Sequence, residues 1–99
     1  MVLYITNEEG LVESFIGMQQ VDNKGNTSPN GEYLYIDEMY VAPSKRGNFR
    51  EYVEYYYKES LDKVNWGTIK HVYAQRRDKD YKIVCYAINK FIKREKETI

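Results

Sequence analysis

The sequence of 99 residues is long enough for one domain with a modest hydrophobic core and too short for two. No stretch is long and apolar enough to cross a membrane, so we expect no membrane partner. The net charge is +0, but residues 1–42 hold one Lys/Arg and seven Asp/Glu, a net charge of −6. Residues 43–99 hold fourteen Lys/Arg and eight Asp/Glu, a net charge of +6. The first part of the chain is therefore acidic and the second part basic.

The single cysteine, Cys85, excludes an internal disulfide. The N-terminal residues show no basic segment followed by an apolar one, so we expect no secretory signal. Both observations predict a cytoplasmic protein.

The first third of the chain predicts antiparallel strands. Residues 2–6 and 11–21 are two β-prone runs joined by a turn at 7–10, with Gly17 as the site of a bulge. The polar loop 22–31 leads as a hairpin into a third strand over 33–41. Alternation in this strand groups Tyr33, Tyr35, Asp37, Met39 and Val41 on one face and Leu34, Ile36, Glu38 and Tyr40 on the other. Apolar residues on both faces predict a strand that is covered on both sides.

Pro43 ends the third strand, because proline has no amide hydrogen to donate. A basic turn follows at residues 44–48, and Asn48 with Glu51 has the form of a helix-start cap. The apolar stripe of the predicted helix consists of Phe49, Val53, Tyr56, Tyr57, Leu61 and Val64.

The second half predicts a fourth strand over Thr68–Gln75, a charged turn over 76–80 and a second amphipathic helix. That helix is marked by Ile83, Val84, Ala87, Ile88, Phe91 and Ile92, and the charged end that follows frays or adds a short strand. The order β-β-β-α-β-α predicts a single α+β domain over residues 1–99. We expect a mixed sheet with antiparallel N-terminal strands, a right-handed βαβ unit and helices packed against it.

Residues 36–47 resemble the acetyl-CoA motif of the GNAT superfamily of N-acetyltransferases. In that family a strand ends in V-x-P, and an R-G-x-G-x-G turn then opens a helix. Here V-A-P at residues 41–43 is followed by R-G-N at 46–48. In the family the amides of the turn and the helix N-terminus hold the pyrophosphate of the cofactor. The resemblance implies a GNAT-like fold and acetyl-CoA as the cofactor.

Two positions depart from the family pattern, because Phe49 and Glu51 stand where the second and third glycines occur. A side chain at Phe49 crowds a close backbone approach to phosphate, and the Glu51 carboxylate would repel it. A second match lies in the last helix, where Tyr86 and Phe91 fit the family's Y-x-x-x-G-F pattern with Lys90 in place of glycine. The chain lacks the family's closing strand pair and most of its N-terminal helical region, so it resembles a minimal or truncated version.

The resemblance also implies roles for particular residues. Tyr86 would protonate the departing thiolate, and Asp37 or Glu38 would accept a proton or hold a cationic substrate. Because adjacent strand residues face opposite ways, we expect at most one of these carboxylates to point at the site. The cofactor would bind the backbone of Met39, Tyr40 and Val41 and the phosphate-binding residues Lys45, Arg46, Gly47, Asn48 and Arg50. The acceptor would be the amine of a small molecule, or a lysine or N-terminus of a protein.

The same residues have plain structural interpretations. Tyr86 would be one more tyrosine at the rim of the core, each carboxylate would face solvent or pair with arginine, and the basic turn would be solvated. His71 is alone, which favours a partly buried strand histidine over a metal ligand. Cys85 has no basic partner at a recognisable spacing, which favours an inert buried thiol.

Three functions remain open from the sequence. The first is an acetyl-CoA-dependent N-acetyltransferase. The second is a catalytically inactive GNAT-fold protein that binds a protein partner, which would suit a phage or mobile-element accessory protein acting on a host factor. The third is nucleic-acid binding through the basic second half, against which the interspersed acids and zero net charge count. A sheet this small also leaves an exposed strand edge, which predicts a homodimer.

Overall fold

The computed structural model describes residues 1–74 and 78–97, apart from the side chains of Asn48 and Asp80. The strands are β1 (Val2–Thr6), β2 (Val12–Val21), β3 (Tyr33–Val41) and β4 (His71–Tyr73), and the helices are α1 (Phe49–Glu59) and α2 (Lys79–Glu97). A short 3₁₀ helix, Pro43–Asn48, joins β3 to α1. Residues 76 and 77 of the predicted turn, the last residue of the predicted fourth strand and the last two residues of the chain lie outside the described residues. The prediction that the turn extends to residue 80 is wrong, because α2 already begins at Lys79.

The four strands form one mixed sheet in the order β1-β2-β3-β4. β1 pairs with β2 and β2 with β3 in antiparallel fashion, whereas β3 and β4 are parallel. A parallel pair needs a crossover connection, and α1 lies in it. This is the α+β arrangement of four strands and two helices that the sequence predicted.

The hydrophobic core lies between the two helices and one face of the sheet. The sheet contributes Ile16, Met18, Leu34, Ile36 and Val72, and the helices and their connection contribute Val53, Tyr56, Val64, Ile69, Tyr81, Val84, Ile88 and Ile92. The last four of these recur at three- and four-residue spacing, which places them on one side of α2. The sequence placed Leu61 in the apolar stripe of α1, and this prediction is wrong. Leu61 is 57% exposed, because α1 ends at Glu59.

A β-bulge interrupts the pairing of β2 with β3. Met18 pairs with Ile36 and Gly17 with Glu38, so Asp37 is the extra residue. A Cβ atom on Gly17 would collide with the Asp37 carboxylate and would contact the Cβ of Glu38. Both acidic side chains therefore lie on the face of the sheet opposite the helices. The prediction that they face opposite ways is wrong, because the extra residue resets the alternation.

The bulge also corrects the predicted faces of the rest of β3. Met39 packs against the core and Val41 is buried, whereas Tyr40 is 36% exposed on the opposite face with the tyrosines of the first half of the strand. The prediction that both faces are covered is wrong as well. Tyr4, which lies on the same side as Tyr40, is 58% exposed.

Helix α2 takes the place of a further strand beside β4. The Asn89 carboxamide accepts a hydrogen bond from the Val72 amide at 2.8 Å and donates one to the Val72 carbonyl at 2.9 Å. The Lys96 ammonium donates to the Ile69 carbonyl at 2.6 Å. Side chains of α2 therefore satisfy backbone groups that a further strand beside β4 would have paired with. β4 itself has three residues rather than the predicted eight.

The buried side-chain nitrogen and oxygen atoms of the described chain are all hydrogen-bonded. The Gln20 amide group donates to the Gly31 carbonyl at 2.8 Å, and its oxygen accepts from the Asn65 amide at 2.9 Å, which ties two connecting loops to β2. Tyr56 of α1 and Ser14 of β2 share a hydrogen bond of 2.5 Å between their hydroxyl groups inside the core. That bond fixes α1 against the sheet.

We expect Tyr56→Phe to lower the free energy of unfolding by about 1–3 kcal/mol at neutral pH, because the buried Ser14 hydroxyl loses its partner. Urea denaturation would measure this, with the neighbouring exposed Tyr55→Phe as the control. The double variant Tyr56→Phe/Ser14→Ala removes both hydroxyls, and its loss of unfolding free energy should be smaller than the sum of the losses in the two single variants. Additive losses would contradict the pairing.

The same variant carries a pH dependence. Burial raises the pKa of Tyr56 to about 12, against a smaller opposing effect of the Ser14 hydrogen bond. Because the fold favours the neutral phenol, this contribution to stability is complete below the ordinary tyrosine pKa of about 10 and is lost as pH rises to about 12. The stability advantage of the wild type over Tyr56→Phe should therefore shrink across this window. A constant advantage would contradict the assignment.

Candidate functional site

Strand β3 extends well beyond its parallel partner. β4 pairs only with Tyr33–Tyr35, whereas β2 follows the other edge of β3 as far as Val41. From Ile36 onward, no strand among the described residues pairs with the β4 side of β3. A strand edge of this kind presents backbone donors and acceptors to a ligand that can pair with them.

Tyr81 reaches this edge from the first turn of α2. Its hydroxyl accepts a hydrogen bond from the Met39 amide at 3.1 Å, and its ring is buried in the core. Met39 is one of the predicted cofactor-binding positions, so a tyrosine hydroxyl lies where the pantetheine arm is predicted. No motif in the sequence singles out Tyr81. The available signal was its position at the start of the apolar stripe of α2, where a buried tyrosine needs a polar partner.

The basic turn is the short 3₁₀ helix between β3 and α1. Ala42 precedes it with extended backbone angles, φ −54° and ψ 139°, and its carbonyl accepts from the Lys45 amide at 2.8 Å. The Arg46 guanidinium donates to the Val41 carbonyl at 3.3 Å, so this side chain folds back onto the end of β3. Arg50 lies in the first turn of α1. The Arg50 guanidinium pairs with the Glu54 carboxylate at 3.4 Å, so one predicted phosphate-binding cation is partly neutralised. The predicted Asn48 cap rests on a side chain outside the described residues.

Gly47 and Phe49 differ in what surrounds them. Gly47 has no positive φ angle, and a Cβ atom there would meet nothing within 4 Å. Neither backbone conformation nor packing within the described chain requires glycine at this position. Phe49 is half-buried and packs against the hydrophobic core. Its ring is thus directed into the protein, which leaves the outer side of the turn open near Gly47.

Tyr86 lies away from the other predicted catalytic residues. It is 69% exposed, and it follows Tyr81 by five residues, which is about 140° around the helix. It lines an open groove of about 810 Å³ between α1 and α2, together with Arg50, Lys90 and Lys93. The structure therefore brings Tyr86 together with Arg50 and separates it from Asp37 and Glu38. Its role as the acid stays a prediction.

Asp37 and Glu38 face solvent on the opposite side of the sheet. Asp37 accepts a hydrogen bond from the Gln19 side chain at 3.0 Å, and Glu38 is exposed. No described cation lies within ion-pair distance of either carboxylate. The described residues therefore agree with the solvent-facing interpretation, and Arg76 and Arg77, which follow β4 in the chain, lie outside them.

His71 and Cys85 form no reactive centre with their described neighbours. His71 is exposed, contrary to the prediction of partial burial, since it lies in the last strand of the sheet. Burial raises the pKa of the Cys85 thiol, which keeps it protonated. Within residues 1–74 and 78–97, no group of three His, Cys, Asp or Glu side chains is placed to hold a metal ion. Neither described helix combines the length and apolarity that a membrane crossing requires.

Comparison with protein-family models, with curated proteins and with solved structures finds no match to this chain. The functional argument therefore depends on the chain's own residues and geometry.

If Tyr81 holds the edge of β3, Tyr81→Phe should accelerate hydrogen exchange at the Met39 amide by about two- to tenfold, because one net hydrogen bond is lost. Exchange followed by NMR would measure this. Tyr86→Phe on the same helix is the control and should leave that amide unchanged, since Tyr86 is exposed on another side. Equal rates in the wild type and Tyr81→Phe would contradict the contact.

Proposed function

We propose that this α+β domain is a minimal GNAT-like fold that binds acetyl-CoA along the edge of β3 that no described strand covers, beside the Tyr81 hydroxyl, and transfers the acetyl group to an amine. The observation that carries the proposal is the edge of β3 beyond Tyr35, which has no strand partner among the described residues and leads directly into a basic helical turn. A pantetheine arm contains amides that pair with backbone groups as an added strand does.

The turn after β3 suits the phosphates of the cofactor. Lys45, Arg46 and Arg50 supply positive charge near the start of α1, where the helix dipole also favours anions. Gly47 leaves the backbone open to close approach, and the Phe49 ring packs inward. Phe49 therefore crowds the turn less than the sequence pattern alone predicts.

The transfer itself needs few groups. The nitrogen of a deprotonated amine attacks the thioester carbonyl carbon, a C–N bond forms, the C–S bond breaks, and the departing thiolate takes a proton. Two tyrosines compete for the role of proton donor: Tyr86 by family resemblance, and Tyr81 because its hydroxyl lies at the edge of β3. The acceptor is the amine of a small molecule or of a protein.

A second candidate function is protein binding by a catalytically inactive form of the same fold. Tyr86 lies on α2, whereas Asp37 and Glu38 lie together on the opposite face of the sheet. This separation favours the second candidate, because the three residues do not form one site. This candidate predicts no binding of acetyl-CoA and a stoichiometric complex with a host protein.

A thermal melt with and without acetyl-CoA, supported by calorimetric titration, tests cofactor binding. Acetyl-CoA at about a hundred times its dissociation constant should stabilise the fold by roughly 2.7 kcal/mol, which is several degrees for a domain of this size. Gly47→Ala should raise the stability of the free protein by about 0.5–1 kcal/mol and weaken binding, since a methyl group would stand in the ligand's path.

Gly67→Ala is the matched control, because a Cβ atom there makes only an ordinary contact and lies outside the turn. Its binding of acetyl-CoA should equal that of the wild type. If the wild type shows no shift of its melting temperature and no heat of binding, the proposed cofactor site is refuted and the second candidate is favoured.

Transfer assays on Tyr81→Phe and Tyr86→Phe decide between the two proton donors. Loss of the true donor should lower turnover by roughly 10²-fold or more with little change in acetyl-CoA affinity. The other variant should retain turnover and serves as the control. Unchanged turnover in both would remove a tyrosine acid from the mechanism.

A further inference from the structure

The outer face of the sheet, defined here as the face opposite the helices, carries a row of three aromatic rings. Cross-strand pairing places Tyr4 of β1 next to Phe15 of β2, and Phe15 next to Tyr40 of β3. The ring centroids are 6.1 Å apart in the first pair and 5.8 Å apart in the second. Tyr4 is 58% exposed, so the row opens to solvent.

A second aromatic cluster lies at the other end of β3. The Tyr73 ring of β4 contacts Tyr33 at 6.3 Å and Tyr35 at 5.1 Å between centroids. Asp37 and Glu38 lie between the two clusters, because the bulge turns both carboxylates outward. Along β3, the outer face therefore presents first aromatic rings, then two carboxylates and then a further aromatic ring.

We propose that the outer face binds a basic segment of a partner protein, one in which Arg or Lys side chains stand beside apolar ones. The carboxylates of Asp37 and Glu38 have no described cation within ion-pair distance, and residues 1–42 contain a single base, Lys24. A cation from a partner would meet both a carboxylate and the face of a tyrosine ring, each of which attracts it.

The dimensions of the face fit a short extended segment. At about 3.3 Å per residue, the distance along β3 from Tyr33 to Tyr40 is roughly 23 Å, the length of about seven extended residues. Such a segment would place apolar side chains on the aromatic clusters at the ends and cations on the carboxylates in the middle. The aromatic rings supply contact area at a low cost in conformational entropy.

The two carboxylates argue against nucleic acid as the occupant. Tyrosine rings stack on bases, but Asp37 and Glu38 in the middle of the face would repel the phosphate backbone. The inference does not depend on the proposed acetyl transfer, since the outer face lies on the side of the sheet away from the helices and the buried Tyr81.

The probe is a fluorescein-labelled octapeptide in which pairs of Arg alternate with pairs of Leu, so that each side of the extended peptide carries both residue types. Fluorescence anisotropy would measure its dissociation constant. The double variant Asp37→Asn/Glu38→Gln keeps the size of both side chains and should weaken binding by about five- to tenfold. The same peptide with Glu in place of Arg should not bind.

The matched control is Glu59→Gln/Asp62→Asn, which removes the same charge from exposed positions at and after the end of α1. It should change affinity less than about twofold. Tyr4→Ser, at an exposed edge position, should also weaken binding, because it removes a ring from the aromatic row. Thermal melts of each variant establish that it is folded.

Three results would overturn the inference. Equal losses in the two charge-neutralised variants would mean that net charge alone attracts the peptide. Amide chemical-shift changes confined to α1 and α2 would place the peptide on the helices instead. Sedimentation velocity showing a wild-type dimer that Asp37→Asn/Glu38→Gln dissociates would assign the outer face to a second copy of this chain.

Discussion

The extra residue in β3 is the constraint on which the two faces of the molecule depend. Gly17 has no side chain, and only for that reason can the Asp37 carboxylate lie beside it. The bulge lets Met39 and Val41 return to the core after Ile36, although two residues rather than one lie between Ile36 and Met39. Without it, either these apolar residues or the two carboxylates would be directed into the wrong environment, at a cost in free energy that a small core cannot offset.

The separation of charge along the chain becomes a separation in space. The first three strands come from the acidic half of the sequence, and both helices come from the basic half. The helices cover one face of the sheet and leave the other with aromatic rings and two carboxylates that no described cation pairs with. A chain of zero net charge thus carries its excess of base on α2, away from the two carboxylates of the outer face, and this distribution matters more for recognition than the net charge does.

The edge of β3 and the start of α2 meet at a single buried tyrosine. Tyr81 satisfies the Met39 amide that no described strand satisfies, and Asn89 satisfies the backbone of Val72 in β4. Helix α2 therefore holds both parallel strands through side-chain hydrogen bonds rather than through a longer ladder. This arrangement leaves the end of β3 beside the basic turn, where the proposed cofactor would lie, while the aromatic outer face remains available to a partner.

Local sequence determined the strands β1 and β3, the start of α1 and the apolar stripe of α2, because periodicity and turn residues act over a few neighbouring positions. It also predicted the mixed sheet and an irregularity at Gly17, although the extra residue of the bulge lies opposite Gly17, in β3 rather than in β2. Only the tertiary structure decided that Asp37 and Glu38 share a face, that Leu61 is exposed and that β4 is short. The sequence likewise did not predict the hydrogen bond from the Met39 amide to the Tyr81 hydroxyl or the exposure of Tyr86. These features depend on contacts between residues far apart in the chain, which no local pattern of residue types encodes.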